Sequence, residues 1–436
     1  MGGFGWWIRR AKFLLKPGLD LKRWLALMCL GAVLLVLGIA FTSQVALSDR
    51  TLSLLRTISF AQLPSLARGS IFLTTSILVL GISIWGLYGS LSSLRRRRPG
   101  TTILEELYIQ RVLGSGPKIV VLGGGTGLST LLTGLKNYTR NLCAIVTVSD
   151  DGGSSGRLRQ ELGILPPGDI RNCLVALADS EDIMQKLMEY RFDGKGSLGG
   201  HSFGNILIAA LTNITGNFED GVSMAGQILA IRGRVLPATL SNVVLTAETV
   251  GGKILMGESA IGQAKEPLSS LSLGPGQVDP FPPALEAIAE ADMVLIGPGS
   301  LYTSVIPNLL VPRIREILQK VNCLKVYISN IAEQPGETDG FTIDDYIKTI
   351  SKYGGSQIFD LVVANDRIPH EMALECTLTP PGERLRSQSQ KRILWSDLID
   401  STRPTRHDAS KLANFLIDVY QNRQRHANIN TGLRRP

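Results

Sequence analysis

Residues 118–127 read KIVVLGGGTG, and this stretch decides the fold. An aliphatic run without polar alternation is a strand buried on both faces, and its glycines lead at once into a helical pattern over 128–137. Strand, glycine turn and helix in that order form the opening unit of a parallel α/β sheet. The alternation recurs downstream, with strands expected at 144–148, 293–296, 325–330 and 361–364. Helices are expected at 170–178, 205–211, 218–231, 283–289, 312–320, 343–352 and 409–420. The pattern is that of a doubly wound, mainly parallel sheet. Two runs at 243–250 and 253–256, separated by Gly251-Gly252, predict a hairpin inserted in that sheet or added to it.

Upstream the composition changes. Residues 25–41 carry no charge and 42–47 extend them to bilayer length, and residues 71–91 form a second uncharged apolar run. The pair reads as a two-helix transmembrane hairpin, with a cleaved signal peptide as the competing reading of the first run. Basic residues gather before it (Arg9, Arg10, Lys12, Lys16, Lys22, Arg23) and after it (the run from Arg95 to Arg98), while Arg50, Arg56 and Arg68 face Asp49 in the connection. The positive-inside rule then puts both termini and the globular part in the cytoplasm, at the inner membrane. The expected layout is a basic N-terminus (1–24), a hairpin region (25–94), a basic linker (95–116) with a short amphipathic helix at 103–112, a ligand-binding domain (117–400), and a C-terminal helix with a basic tail (401–436).

The whole-chain numbers agree with a membrane anchor on a folded domain. Hydrophobic residues make up 44%, charged residues 19%, and mean hydropathy is +0.15. The net charge of +8 comes largely from the first hundred residues, which is a membrane-flank pattern and argues against nucleic acid as a partner. The five cysteines form no CxxC pair, so free thiols in a reducing compartment are expected, without a zinc site.

Five glycine-rich loops fall at strand or helix ends, where an open parallel sheet binds its ligands. In the first, Gly124, Gly125 and Thr126 offer backbone N–H groups at a helix start, suited to phosphate or serving only as a tight turn. Position 128 is leucine, which breaks the dinucleotide fingerprint, and no P-loop lysine follows. The second loop brings Asp150, Asp151, Ser154, Ser155 and Arg157 together; the carboxylates suit Mg²⁺, a sugar hydroxyl or a nucleophile, and the remainder suits an anion. In the third, Asp169 is a helix N-cap or a ligand contact, and Arg171 and Asn172 follow in the first turn. A cation there opposes the helix dipole unless an anion lies nearby. The fourth holds His201, an acid, base, phosphate donor or structural group, and Asn205, suited to base or sugar. The fifth holds Gly299 and Ser300. No Gly-x-Ser-x-Gly elbow is present, which sets hydrolase chemistry aside.

These motifs, GGGTGLS (123–129), VTVSDDGGSSGRLR (146–159), PPGDIRN (166–172), GHSFGN (200–205), RGRVLPAT (232–239), IGPGSLYTSVIPNLLV (296–311) and QPGETDG (334–340), resemble in this order the bacterial gluconeogenesis factor family, relatives of 2-phospho-L-lactate transferase. The resemblance implies a Rossmann-like sheet with an added subdomain and a site between the glycine-rich loops and the Gly-Pro-Gly-Ser loop. It also implies binding of a nucleotide-diphospho sugar such as UDP-N-acetylglucosamine and a role in cell shape and envelope synthesis during gluconeogenic growth. Envelope-synthesis proteins and a second copy of the chain are the implied partners. The alternative it carries is a Mg²⁺-dependent transferase of a phospholactyl group from a nucleotide-diphospho donor, with Asp150, Asp151 and His201 as catalytic candidates. Two departures stand out: residues 331–334 read IAEQ where the family has Val-Met-Thr-Gln, and the membrane hairpin is extra to typical soluble members.

Overall fold

A computed structural model describes residues 21–43, 64–92, 112–179, 182–264, 266–276, 278–367 and 393–430. The basic residues of the extreme N-terminus, the Arg95–Arg98 run, the linker helix expected at 103–112, Cys376 and the last residues of the tail lie outside this set. The chain divides into two units, Met1–Gly114 and Ser115–Pro436.

The first unit contains helices α1 (Leu21–Thr42) and α2 (Ser65–Ser92), whose apolar stretches Arg23–Thr42 and Leu66–Gly86 are long enough to cross a bilayer. They pack antiparallel through small residues. A Cβ on Gly31 would lie 2.8 Å from Leu80, one on Gly38 2.8 Å from Leu73, and one on Gly86 2.4 Å from the Trp24 ring. The Ser76 hydroxyl donates to the Gly31 carbonyl (2.8 Å) and the Ser83 hydroxyl to the Trp24 carbonyl (2.6 Å). Contact positions thus repeat every seven residues on both helices, the period that keeps one seam facing its partner. Val33, Val36, Ile77 and Trp85 point outward. Arg68, which the sequence reading placed in the connection, belongs to α2: nothing breaks the helix after Pro64, and the guanidinium lies 5.6 Å from the Phe41 ring.

The second unit is built on seven parallel strands. In chain order its elements are β1 (Ile119–Gly123), α3 (Gly125–Leu135), β2 (Leu142–Val146), α4 (Gly153–Leu162), α5 (Gly168–Leu177), α6 (Asp182–Glu189), α7 (Phe203–Thr215), α8 (Phe218–Ile228) and β3 (Arg234–Pro237). There follow β4 (Val244–Thr249), β5 (Ile254–Met256), α9 (Glu258–Ile261), β6 (Leu268–Gly274), α10 (Pro282–Ala289) and β7 (Met293–Ile296). A π-helical turn, Leu301–Val305, then leads into α11 (Ile306–Leu309), α12 (Pro312–Lys320), β8 (Leu324–Ile328), α13 (Ile343–Gly354), β9 (Leu361–Asn365), β10 (Ile393–Ser396) and α14 (Ala409–Asn430). The large sheet runs β10-β9-β8-β7-β1-β2-β3. Strands β1, β2, β7 and β8 are buried at every residue; β1, β2 and β7 are apolar throughout, and in β8 the buried Lys325 donates to the Leu318 and Gln357 carbonyls (3.2 and 3.1 Å).

The expected hairpin exists, because β4 pairs antiparallel with β5, but it joins neither edge of the large sheet. It forms a separate three-stranded sheet, β5-β4-β6, whose alternating burial on β4 (Leu245, Ala247 and Thr249 inward) marks a sheet with one wet face. This sheet is the added subdomain. Strands β3, β6 and β10 and helices α4 and α6 have no counterpart in the sequence reading. The two edge strands, β3 and β10, have only four residues each, and α4 begins in a Gly-Ser run of low helix propensity.

Candidate functional site

The chain leaves β1 to build β2 and β3 on one side, then returns with β7 and builds β8, β9 and β10 on the other. The carboxyl ends of β1 and β7 therefore flank the topological switch point, where no crossover helix covers the crevice. The loops after these two strands touch through bare backbone. A Cβ on Gly127 would sit 2.7 Å from the Pro298 carbonyl oxygen, and one on Gly299 would sit 3.1 Å from that of Gly124. Asn330, just beyond β8, fastens the second loop: its amide donates to the Gly299 carbonyl (2.9 Å), and its oxygen accepts from the Gly299 N–H (3.3 Å).

Above this junction lies a cavity of about 470 Å³. Gly124, Gly125, Thr126, Gly299 and Ser300 line it, as five of the sequence candidates, together with Asn330, Gln334, Glu337 and the segment Thr405, Arg406 and His407 before α14. Helix α3 begins at this cavity, with Gly124 as an N-cap that has no side chain to satisfy the first-turn N–H groups. One of them, at Gly125, is taken by the carboxylate of Asp169. Ser300 caps the π-helical turn, donates to the Glu337 carboxylate, and shares a 2.5 Å hydrogen bond with the Thr303 hydroxyl.

The other candidates gather in a second, tightly bonded group at the starts of α4, α5 and α7. The Ser154 hydroxyl lies 3.1 Å from His201 Nδ1 and accepts from the Asn205 amide (3.0 Å). All three residues are buried, and burial with the nearby Arg157 guanidinium holds His201 below the ordinary imidazole pKa. Arg171 is buried and donates to the Ser202 hydroxyl (2.6 Å) and to Asn172 Oδ1 (2.7 Å). The anions that its first-turn position calls for are Glu189, Asp169 and Asp150. Arg157 donates to the Gly199 carbonyl (2.8 Å), holding the fourth loop in place, and Ser155 packs on Gly168, where an added Cβ would lie 2.4 Å from its hydroxyl.

The structure corrects the N-cap reading of Asp169. Pro167 is the N-cap of α5; Asp169 stands inside the first turn and turns its carboxylate to the β1 loop instead. Asp150 accepts from the Gly152 N–H (2.9 Å) in a local turn, and Asp151 accepts from the Ser259 N–H (2.9 Å) at the start of α9, tying the subdomain to the sheet. Two acids that sequence reasoning passed over join them. Glu337 lies within the quoted QPGETDG motif, and Glu258 opens α9. Burial pushes Asp169 up to about 6, with Asp150 adding to the shift, and burial with Asp150, Asp169 and Glu337 raises Glu258 well above the usual carboxylate range. Glu337 is raised by burial too. Among the described residues no three His, Cys, Asp or Glu side chains converge on a metal position. Asp150 and Asp151 are alike in each already accepting one backbone N–H at 2.9 Å.

Fold and site define an α/β protein with a pocket at the topological switch point of its parallel sheet. Residues 119–409 match the family model of 2-phospho-L-lactate transferase CofD. The gluconeogenesis factor of Bacillus subtilis (strain 168) is 44% identical over 70% of this chain and 99% of its own length, and a relative from Nostoc sp. is 42% identical over 93% of this chain and 92% of its own. The crystal structure of a UPF0052 family protein from Bacillus halodurans superposes with a TM-score of 0.66 at 41% identity, covering 70% of this chain and 99% of that one. The chain belongs to the gluconeogenesis factor family, within the wider group of 2-phospho-L-lactate transferase relatives.

The buried acids set the pH dependence of stability. A carboxyl whose folded pKa is raised to about 6 takes up protons in the folded state before the unfolded state does, so its effect is to lower stability as pH rises from about 4 to 6. Replacing Asp169→Asn removes that contribution, so urea unfolding of the variant should lose less stability than wild type between pH 5 and pH 7. An equal or steeper loss in the variant would contradict the placement of Asp169.

Proposed function

We propose that the protein is a nucleotide-sugar-binding regulator held at the cytoplasmic face of the membrane. The switch-point cavity carries this reading. It offers uncapped N–H groups at the start of α3, which suit a diphosphate, and polar side chains deeper along its wall, which suit the attached sugar and base. UDP-N-acetylglucosamine is the ligand of choice, in keeping with the gluconeogenesis factor name of the Bacillus subtilis relative and with a role in envelope synthesis and cell shape. Partners among the envelope-synthesis proteins, and a homo-oligomer, belong to the same reading.

The antiparallel pair α1 and α2 supports a membrane tether, with apolar side chains outward and hydroxyls bonded inward. The long match to the Nostoc relative leaves little of the N-terminal region unmatched, so the hairpin region is shared beyond this chain. Tethering raises the local concentration of the domain near enzymes that use lipid-linked precursors. Both ends of the hairpin should be open to a membrane-impermeant thiol reagent only after the membrane is breached; labelling of a cysteine placed at 98 in intact cells would reverse the topology.

A second reading is a Mg²⁺-dependent transferase, favoured by the family model's name and by the acids near the β1 loop. Calorimetry of the full-length protein with UDP-N-acetylglucosamine and GDP, each with and without Mg²⁺, separates the two. Selective binding of the UDP-sugar without turnover is expected. Preference for the guanine nucleotide, with release of a transferred group when an acceptor is added, would replace the regulator by the transferase.

A further inference from the structure

The cavity lies at the carboxyl end of the parallel sheet, and the amino end carries features that ligand binding leaves unused. The chain enters the domain there: Lys118 precedes β1, and its backbone N–H donates to Asp292, the residue before β7 (2.8 Å). Helix α14 leaves at the same end. Its first half is buried through Leu412, Ala413, Leu416 and Ile417, the Tyr138 hydroxyl bonds Asn414, and Arg423 pairs with Asp360, the residue before β9 (3.3 Å). Beyond that packed half, residues 421–426 are exposed at every position while the helix runs on to Asn430.

The charge at this end is one-sided. After Asp418 the sequence has no Asp or Glu, and Arg423, Arg425, Arg434 and Arg435 follow. Arg234 opens β3 and Lys320 closes α12, the helix that leads into β8, so both belong to the amino end, and both are exposed. Arg234, Lys320 and Arg425 have no ion pair among the described residues. The acids beside them are already committed: Glu290 to the Lys118 ammonium (2.8 Å), Asp292 to the Lys118 N–H, and Asp360 to the Lys325 N–H (2.9 Å) as well as to Arg423. Favourable placement against a helix dipole accounts for Lys320, in the last turn of α12, but the last turn of α14 holds no basic residue and Arg234 stands on a strand.

We infer that the amino end of the sheet, with the exposed end of α14 as its foot, is a docking surface for the anionic headgroups of the bilayer that holds the hairpin. The inference rests on the membrane reading of α1 and α2. Residues 93–111 join α2 to the domain at this same end, and so short a chain reaches at most about 65 Å. A basic residue close to an anionic surface strengthens the contact about fivefold. That is weak for a free protein with a few such residues, but a tether supplies the local concentration that turns it into occupancy. Docked by its amino end, the sheet keeps the cavity at its other end open to solvent.

Amide exchange of the full-length protein in nanodiscs of phosphatidylcholine, with and without phosphatidylglycerol, is the test. Exchange over 419–430 is expected to slow about fivefold or more when phosphatidylglycerol is present, and to return to the neutral-lipid rate in high salt. The triple variant Arg234→Gln, Lys320→Gln, Arg425→Gln should lose the slowing, and Arg425→Lys should keep it. Equal exchange in the two lipids would overturn the inference and leave the anchor standing, as would a slowing that survives both high salt and the triple variant. Full-length protein that fails to float with vesicles of phosphatidylcholine alone would overturn the membrane reading, and the inference with it.

Discussion

The architecture turns on one contact, the backbone-to-backbone approach of the loops that follow β1 and β7. A methyl group at position 127 would meet the Pro298 carbonyl at 2.7 Å, well inside van der Waals contact, and the target there is backbone that cannot swing away. Glycine is the residue that lets these loops close on one another. From that closure follow the direction of α3, whose uncapped start faces the cavity, and the position of the Gly299-Ser300 corner that forms its other lip. The seven-stranded order supplies the crevice, because β1 and β7 are neighbours in the sheet but far apart in the chain.

Charge around that contact is arranged in tension. The start of α3 favours an anion, and Asp169 already supplies one to the Gly125 N–H. Beyond burial, Asp150 and Glu337 help to raise Glu258, Asp150 adds to the raising of Asp169, and the buried guanidinium of Arg171 donates to Ser202 and Asn172. The bonds of the Ser154, His201 and Asn205 group fasten α4 to α7, and Asn205 Oδ1 is left without a partner among the described residues.

The parallel sheet could be read from 118–127 because a strand buried on both faces leaves an aliphatic run, and β7 and β9 leave the same trace. Edge strands do not. Arg234–Pro237 is four residues long with an exposed arginine and ends in proline, and nothing in so short a piece separates it from a loop. Within the site, Gly124 to Thr126 and Gly299 to Ser300, which their glycines set apart in the sequence, line the cavity, whereas His407 lines it from outside every motif. Asp169 shows the reverse limit. Its spacing in PPGDIRN fits an N-cap, and only the approach of the β1 loop in space gives it another partner.

The central claim is that ligand binds where the β1 and β7 loops meet. Amide hydrogen exchange of the full-length protein, with and without saturating UDP-N-acetylglucosamine, tests it most directly. Slowed exchange at 124–127 and 297–300 is the predicted result; binding that leaves both segments unchanged while protecting other parts of the domain would contradict the account.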